Sequence, residues 1–321
     1  MSQEMDMPTA TRTLRQCAAL TAVALAAFTA ACGPASQAES STEALHLDFA
    51  RAALVKDNGL SQNGLSQNGL SQNGLGQNGL SQNGLSQNGF KTWFNQNLAS
   101  SDAVMKYLYA CAAPAGWTLT WTNPTTGVPH GWAGVFGLAS DWASGKPATA
   151  AERQVISACL AAHVNAYGMS VPISLSGYAA TGTLIPHTSD EWSAFPIEEG
   201  VFFGDIFGTQ GAFVCQMHAP YTAAQSSSRA CAFDTSVAGP SADCAPMVNV
   251  GDCSAVCSGW KAKDHAYQKC TWNGVVYNKP ITTRIQSQDL FSCGDGVCQF
   301  TEHCGTGTTA DSCRADCGVC Q

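Results

Sequence analysis

The sequence predicts an α+β fold: an irregular, disulfide-rich globular domain over residues 90–290, preceded by a low-complexity repeat stalk and followed by a small disulfide-stapled tail. Three observations predict it. Six five-residue units, LSQNGLSQNGLSQNGLGQNGLSQNGLSQNG, fill residues 60–89. Helix-like and strand-like apolar patterns occupy the residues after them. Six of the sixteen cysteines crowd into residues 293–320, where apolar side chains are almost absent.

Composition narrows the function classes. Charged residues make up 12% of the 321 and the net charge is −8. That balance argues against nucleic acid as a partner, because phosphate binding needs a basic face. Hydrophobic residues at 45% suffice for a packed core. Sixteen cysteines point to an oxidising compartment unless they bind metal.

The N-terminus agrees with export. Arg12 and Arg15 precede CAALTAVALAAFTAA, residues 17–31, an apolar run too short for a comfortable bilayer span and ending in small residues. TAAC, residues 29–32, resembles the lipobox of bacterial lipoproteins, with Thr29 where that family usually has Leu. The resemblance implies a signal peptide over 1–31, a diacylated Cys32 as the first mature residue, and a membrane partner reached through that lipid. Gly33, with no Asp after the cysteine, implies an outer-membrane or cell-surface lipoprotein. An ordinary cleaved signal with an incidental cysteine is the alternative. With Cys17 removed and Cys32 lipidated, fourteen cysteines remain, an even number. Residues 32–57 read as a polar spacer with one amphipathic helix over 43–56, its apolar side formed by Leu45, Phe49, Ala52 and Ala53.

The repeat resembles the pentapeptide-repeat family, a square right-handed β-helix with a central Leu in each unit. That family has Asn or Asp before the Leu, and here Gly stands there. Four units make one coil, so six make one and a half, too few to bury a continuous core. Ordering each residue costs about 1–2 kcal/mol, more than six leucines offset. Residues 58–89 therefore read as a flexible or weakly turn-structured stalk, with ends about 30 Å apart as a coil. A short ordered solenoid is the competing reading.

FKTWFNQNL and SSDAVMKYLYACA read as helices, with Ser101 as N-cap and Val104, Leu108 and Cys111 on one face. GWTLTWT, 116–122, alternates like a strand, NPTTGVPHG like a loop, and WAGVFGLASDW, 132–142, like a second strand. TAAERQVISACLAAHVNAYG, 149–168, is the clearest helix. Thr149 and Glu152 form a capping box, Gly168 is a stop, and Val155, Ile156, Cys159, Leu160, His163 and Tyr167 share a stripe. MSVPISLSGY and EEGVFFGDIFG are strand candidates, and TWNGVVYNKPITTRI a hairpin.

The domain's eight cysteines are Cys111, Cys159, Cys215, Cys231, Cys244, Cys253, Cys257 and Cys270; Cys111 and Cys159 could staple two helices. The tail, 291–321, adds Cys293, Cys298, Cys304, Cys313, Cys317 and Cys320, and without a core it needs covalent bridges. Its Cys293-Gly294-Asp295-Gly296-x-Cys298 start, Glu302, and Asp316-Cys317-Gly318 end resemble small CGDGxC modules at the ends of secreted bacterial proteins, although the gap from Cys304 to Cys313 is longer. The whole layout is similar to myxobacterial surface lipoproteins, a resemblance that carries no activity with it.

For chemistry, Asp295, Glu302, Asp311 and Asp316 offer hard oxygens suited to Ca²⁺, with solvated surface acids as the bland reading. His163 lies one helical turn after Cys159, so a cysteine–histidine pair requires Cys159 to be unbridged. His130 sits in a Gly/Pro loop beside Trp132, and His187 near Asp190 and Glu191. Trp117, Trp121, Trp132, Trp142 and Trp192 form a sugar-stacking platform if exposed and ordinary core if buried. No GxSxG, HExxH or phosphate-binding glycine loop is present. The expectation is a non-enzymatic, lipid-anchored surface module for adhesion, envelope structure or capture of an envelope glycan or protein ligand. The alternative is a secreted hydrolase centred on His130 or His163.

Overall fold

The computed structural model describes residues 51–52, 82–165, 171–208, 210–217, 225–227, 229, 232–233, 247–299, 301–302, 304 and 313–319. The signal peptide, Cys32, the repeat up to residue 81, Tyr167, Gly168, Cys231, Cys244, Asp311 and Cys320 lie outside them.

Arg51–Ala52 is a short strand, β1, paired antiparallel with Pro172 and Val171. This replaces helix with strand at two residues of the predicted 43–56 segment, the rest of which lies outside the described residues. Sheet pairing there outweighs the local periodicity.

After β1 the described residues resume inside the repeat. α1 is Gln82–Leu85 and α2 is Asn88–Gln96. Leu85 and Phe90 are fully buried in the main core. Phe90 stands where the next leucine of the five-residue register falls. The last leucine of the repeat, five residues before Phe90, thus has a core to enter.

α3, Leu98–Ala112, is capped by Asn97, whose side chain accepts from the Ser100 N–H. Ser101, the expected cap, lies inside the helix and is buried, its hydroxyl directed at the Trp93 carbonyl. β2, Thr118–Thr122, and β3, Pro129–Ala133, form an antiparallel hairpin. The expected loop thus yields its last residues to a strand, since pairing with β2 overrides the weak strand propensity of Pro129 and Gly131.

The expected strand over 132–142 ends at Ala133. Its middle is a strap across the end of α3. The amides of Val135 and Phe136 donate to the Ala110 carbonyl, Leu138 to Cys111, Ala139 to Ala112 and Gly137 to Ala113. A helix end leaves its last carbonyls without partners, and the strap supplies them. Gly134 lies so close to Ala113 and Pro114 that a Cβ there has no room. A short helix, α4, follows at Ser140–Ala143.

α5, Ala150–Ala162, has the expected capping box. Glu152 also reaches the Trp142 N–H at 2.9 Å, so one buried carboxylate fixes both α4 and α5. Val155, Ile156, Cys159 and Leu160 are fully buried, as the stripe predicts.

The remaining strands are β4 (Val171–Gly177), β5 (Ile197–Asp205), β6 (Gly211–Gln216), β7 (Gln225–Ser226) and β8 (Met247–Asp252), with α6 (Ser189–Ala194) before β5. Then come α7 (Cys253–Val256), β9 (Cys257–Ser258), β10 (Lys269–Trp272), β11 (Val275–Tyr277), β12 (Ile281–Ile285), β13 (Phe291–Ser292) and α8 (Arg314–Cys317). The main sheet runs β1-β4-β12-β5-β6-β8, antiparallel except for β6 with β8. Phe202 of β5 joins α5 in the main core, while Val201 and Phe203 face a second cluster with Cys215, Phe213 and Tyr277. Both faces are covered, which explains the unbroken apolar run in this strand. The expected hairpin turns at Asn273 (φ 49°) and Gly274 (φ 76°), the two left-handed positions of a type I′ turn.

All eleven described cysteines are disulfide-bonded. The bridges include Cys111–Cys159, as expected, and Cys215–Cys253, Cys257–Cys270, Cys293–Cys313 and Cys298–Cys317. β13 pairs with β7, which joins the start of the tail to the domain.

Arg229 has no solvent exposure and holds Glu199 of β5 at 2.9 Å. It also donates to the carbonyls of Ala162 and Val164 at the end of α5. Glu199→Gln should lower stability by about 3–5 kcal/mol, because it leaves a buried guanidinium without its counter-charge. Replacing both partners with Met should recover much of that loss in urea unfolding. Leu85→Ala should cost about 2–5 kcal/mol, the range for a buried leucine. A change near zero would return the last repeat unit to the stalk.

Candidate functional site

Helix α3 and hairpin β2–β3 assemble a site around His130. Asp102, in the first turns of α3, accepts from His130 Nδ1 and from Trp132 Nε1, each at 2.9 Å through the same Oδ1. His130 and Trp132 are two apart on a strand, so both reach the same side of the hairpin. The His130 ring stacks beside Trp132 (centroids 5.9 Å, planes 18° apart) and meets Phe94 edge-on at 4.8 Å. A carboxylate only accepts, so Nδ1 carries a proton toward Asp102, and in the uncharged form of the ring Nε2 is an acceptor. Nε2 makes no hydrogen bond to a described residue.

This ring lines a cleft of about 500 Å³, within the range of small-molecule sites. Ser86 and Lys91 form one wall, and Thr120, Trp121 and Thr122 of β2 another; Pro124 and Pro129 border it. The Lys91 ammonium makes no ion pair with a described residue. Ser86 lines the cleft but is not hydrogen-bonded to His130, so a nucleophile–base contact is absent among the described residues.

His163 plays a different part. It is buried at the end of α5, its Nδ1 is 2.7 Å from the Cys159 carbonyl, and its ring lies 4.9 Å from that of Tyr107. Cys159 is bridged to Cys111, so the thiol that a cysteine–histidine pair requires does not exist. His163 is a core histidine. Of the five tryptophans weighed as a platform, Trp121, Trp132 and Trp142 are buried and Trp192 is half-buried, while Trp117 is 43% exposed. They do not form an exposed aromatic face.

In the tail, Asp316 accepts from the N–H groups of Gly294 and Gly296, and Asp295 from Val297 N–H and the Gln299 side-chain amide. Glu302 is buried and accepts from Gln299 N–H through one oxygen. These three acids therefore fasten the loop that carries the CGDG start. Three groups of metal-type ligand atoms do converge among the described residues: Cys111/Cys159/His163, Cys215/Cys253/Cys257 and Cys293/Cys313/Asp316. Every sulfur in them belongs to a disulfide, and a thiolate, not a disulfide sulfur, is the metal ligand.

Sequence reasoning missed a second histidine cluster on the outer side of β5 and β12. His265 Nδ1 lies 2.7 Å from Glu198 Oε1 and 2.9 Å from a guanidinium nitrogen of Arg284. The first contact needs a proton on Nδ1 and the second a lone pair, so the ring makes one at a time. Trp192 meets His265 at 4.3 Å and stacks on His187 at 4.1 Å. The acids expected beside His187 act elsewhere: Glu191 takes the Ser174 hydroxyl at 2.8 Å. Burial lowers the Arg284 pKa, and Glu198 and Glu191 oppose that shift. Nearby, the Tyr178 hydroxyl donates to Asp264 at 2.6 Å.

Comparison with known proteins finds no matching family model, no similar curated protein and no similar solved structure. Function is therefore argued from the site.

Burial first, and then the bond to Asp264, raise the Tyr178 pKa from 10.0 to about 12. A raised pKa means the folded state holds its proton more tightly. The associated stability is present below pH 10 and is lost as pH rises toward 12. Tyr178→Phe should weaken the fold at neutral pH yet lose less stability across that alkaline window, as followed by circular dichroism in urea.

Proposed function

We propose that the chain is an exported, lipid-anchored surface protein whose folded domain captures a ligand in the His130 cleft without turning it over. The observation that carries this reading is the cleft itself. A ring held rigid by Asp102 and by aromatic neighbours faces an opening bordered by hydroxyls, an indole and one cation that has no ion-pair partner among the described residues. Such a wall recognises, because its polar groups are fixed before the ligand arrives and little ordering is left to oppose binding. The residues between Cys32 and β1 then serve as the tether, the repeat joins β1 to α1 of the same domain, and the tail is a bridged terminal knot. An anchored binding module of this kind needs reach from the membrane and resistance to unfolding outside the cell, and disulfides supply the latter.

A second reading rests on the same residues. Asp102 and His130 reproduce the acid–base half of a hydrolytic triad, and Ser86 is on the cleft wall. A hydrolase needs the serine oxygen to reach Nε2 when substrate binds.

Mature protein extracted from membranes should carry an acylated Cys32 by intact mass and should retain envelope glycan or protein on incubation with envelope extracts. His130→Ala should release that ligand and leave the bound material chemically unchanged. A time-dependent cleavage of the ligand, abolished by Ser86→Ala, would move the assignment to the hydrolase.

A further inference from the structure

Resting on the cleft reading above, the local charge of the site defines its ligand more narrowly. The chain carries a net charge of −8. None of the eight residues that line the cleft is a carboxylate, and one, Lys91, is a cation. Its ammonium has no described ion-pair partner, unlike Lys146, which pairs with Asp141 at 2.9 Å. Asp102 sits behind the imidazole, 2.9 Å from Nδ1, where it orients the ring. Lys91 is thus the one ammonium on the cleft lining, and such a group draws an anionic one.

The other groups state what must accompany the anion. In its uncharged form, with the proton on Nδ1 toward Asp102, His130 offers Nε2 as an acceptor and so matches a hydroxyl donor. Ser86, Thr120 and Thr122 add hydroxyls that both donate and accept. The Trp121 edge and two prolines supply apolar contact for a ring face. We infer that the cleft binds an acidic sugar, with its carboxylate on Lys91, a ring hydroxyl on His130 Nε2, and its remaining hydroxyls on the serine and threonine side chains. An acidic peptide supplies the carboxylate but lacks a set of ring hydroxyls for His130 and the threonines.

The test is calorimetric titration of the folded, disulfide-intact chain with three probes. These are an oligogalacturonate, the uncharged galactose oligomer of equal length, and a glutamate peptide of similar charge. The oligogalacturonate should bind, and the other two should bind at least about tenfold more weakly. Affinity should fall as salt rises, because the contact to Lys91 is screened. Lys91→Met should cost about ten- to hundredfold in affinity, the value of a charge-assisted contact, and Lys91→Arg should restore most of it. Both variants alter an α2 side chain that has no ion-pair partner among the described residues, and circular dichroism checks that folding is preserved. Equal binding of the neutral oligomer, unmoved by Lys91→Met, would overturn the acidic-sugar assignment and leave the cleft as a glycan site. Equal binding of the peptide would overturn the sugar and keep the anion. Failure of all three probes, together with envelope extract still retained by the wild-type chain and by His130→Ala alike, would remove the cleft itself as the binding site.

Discussion

Glu199 and Arg229 are both sealed from solvent, and removing each charge from water costs several kcal/mol before any contact is made. The cost is offset because Arg229 meets both Glu199 oxygens at 2.9 Å and also takes two carbonyls at the end of α5. A helix C-terminus carries partial negative charge, so the guanidinium satisfies both the carboxylate and the helix end. Breaking either half exposes the other as an unpaired buried group. Helix α5 is thereby locked to the middle of the sheet.

That lock extends stepwise to the cleft. At its other end α5 is fixed by Thr149 and Glu152, and Glu152 also holds α4 through the Trp142 N–H. In its middle, Cys159 is bridged to Cys111 of α3. α3 in turn carries Asp102, and Asp102 orients His130 and Trp132. Arg153 of α5 adds a link to Asp205 of β5 at 3.1 Å, and burial raises the Asp205 pKa despite that partner. With only 12% charged residues, the chain uses several of its charges as internal ties. The imidazole of the cleft is three covalent or ionic connections away from the sheet, which is how a side chain in a Gly/Pro-rich segment is held still.

Legibility in the sequence followed range. The capping box, the Asn-Gly turn and the Cys111–Cys159 staple were readable because each is local or follows from a helical stripe. The strap over 134–139 was not, because VFGLA has strand-like composition and its hydrogen bonds go to the end of another helix. Arg229 gave no signal: it is one arginine in a Ser-rich stretch, and its partners are 30 and more residues away. Asp102 carried no mark in the sequence that set it apart from other surface acids. Its bond to His130 crosses 28 residues. The histidines were visible as residue types, yet the sequence had no means to separate His163, sealed beside a bridged cysteine, from His130, at the edge of an opening.

The junction between repeat and domain joins the two halves of the functional reading. The leucine register of the repeat ends in Leu85 and Phe90, both fully buried. Phe90 packs against Trp121 at 5.1 Å, and Trp121 lines the cleft. Ser86, between them, is itself part of the wall. Whatever conformation residues 58–81 adopt, α1 and α2 therefore bring the chain back into the core beside the cleft. Pulling Leu85 and Phe90 from the core requires exposing two large apolar side chains, each worth about 1.5–3 kcal/mol of burial. That anchorage keeps the cleft wall fixed, because Ser86 lies between two side chains that the core holds.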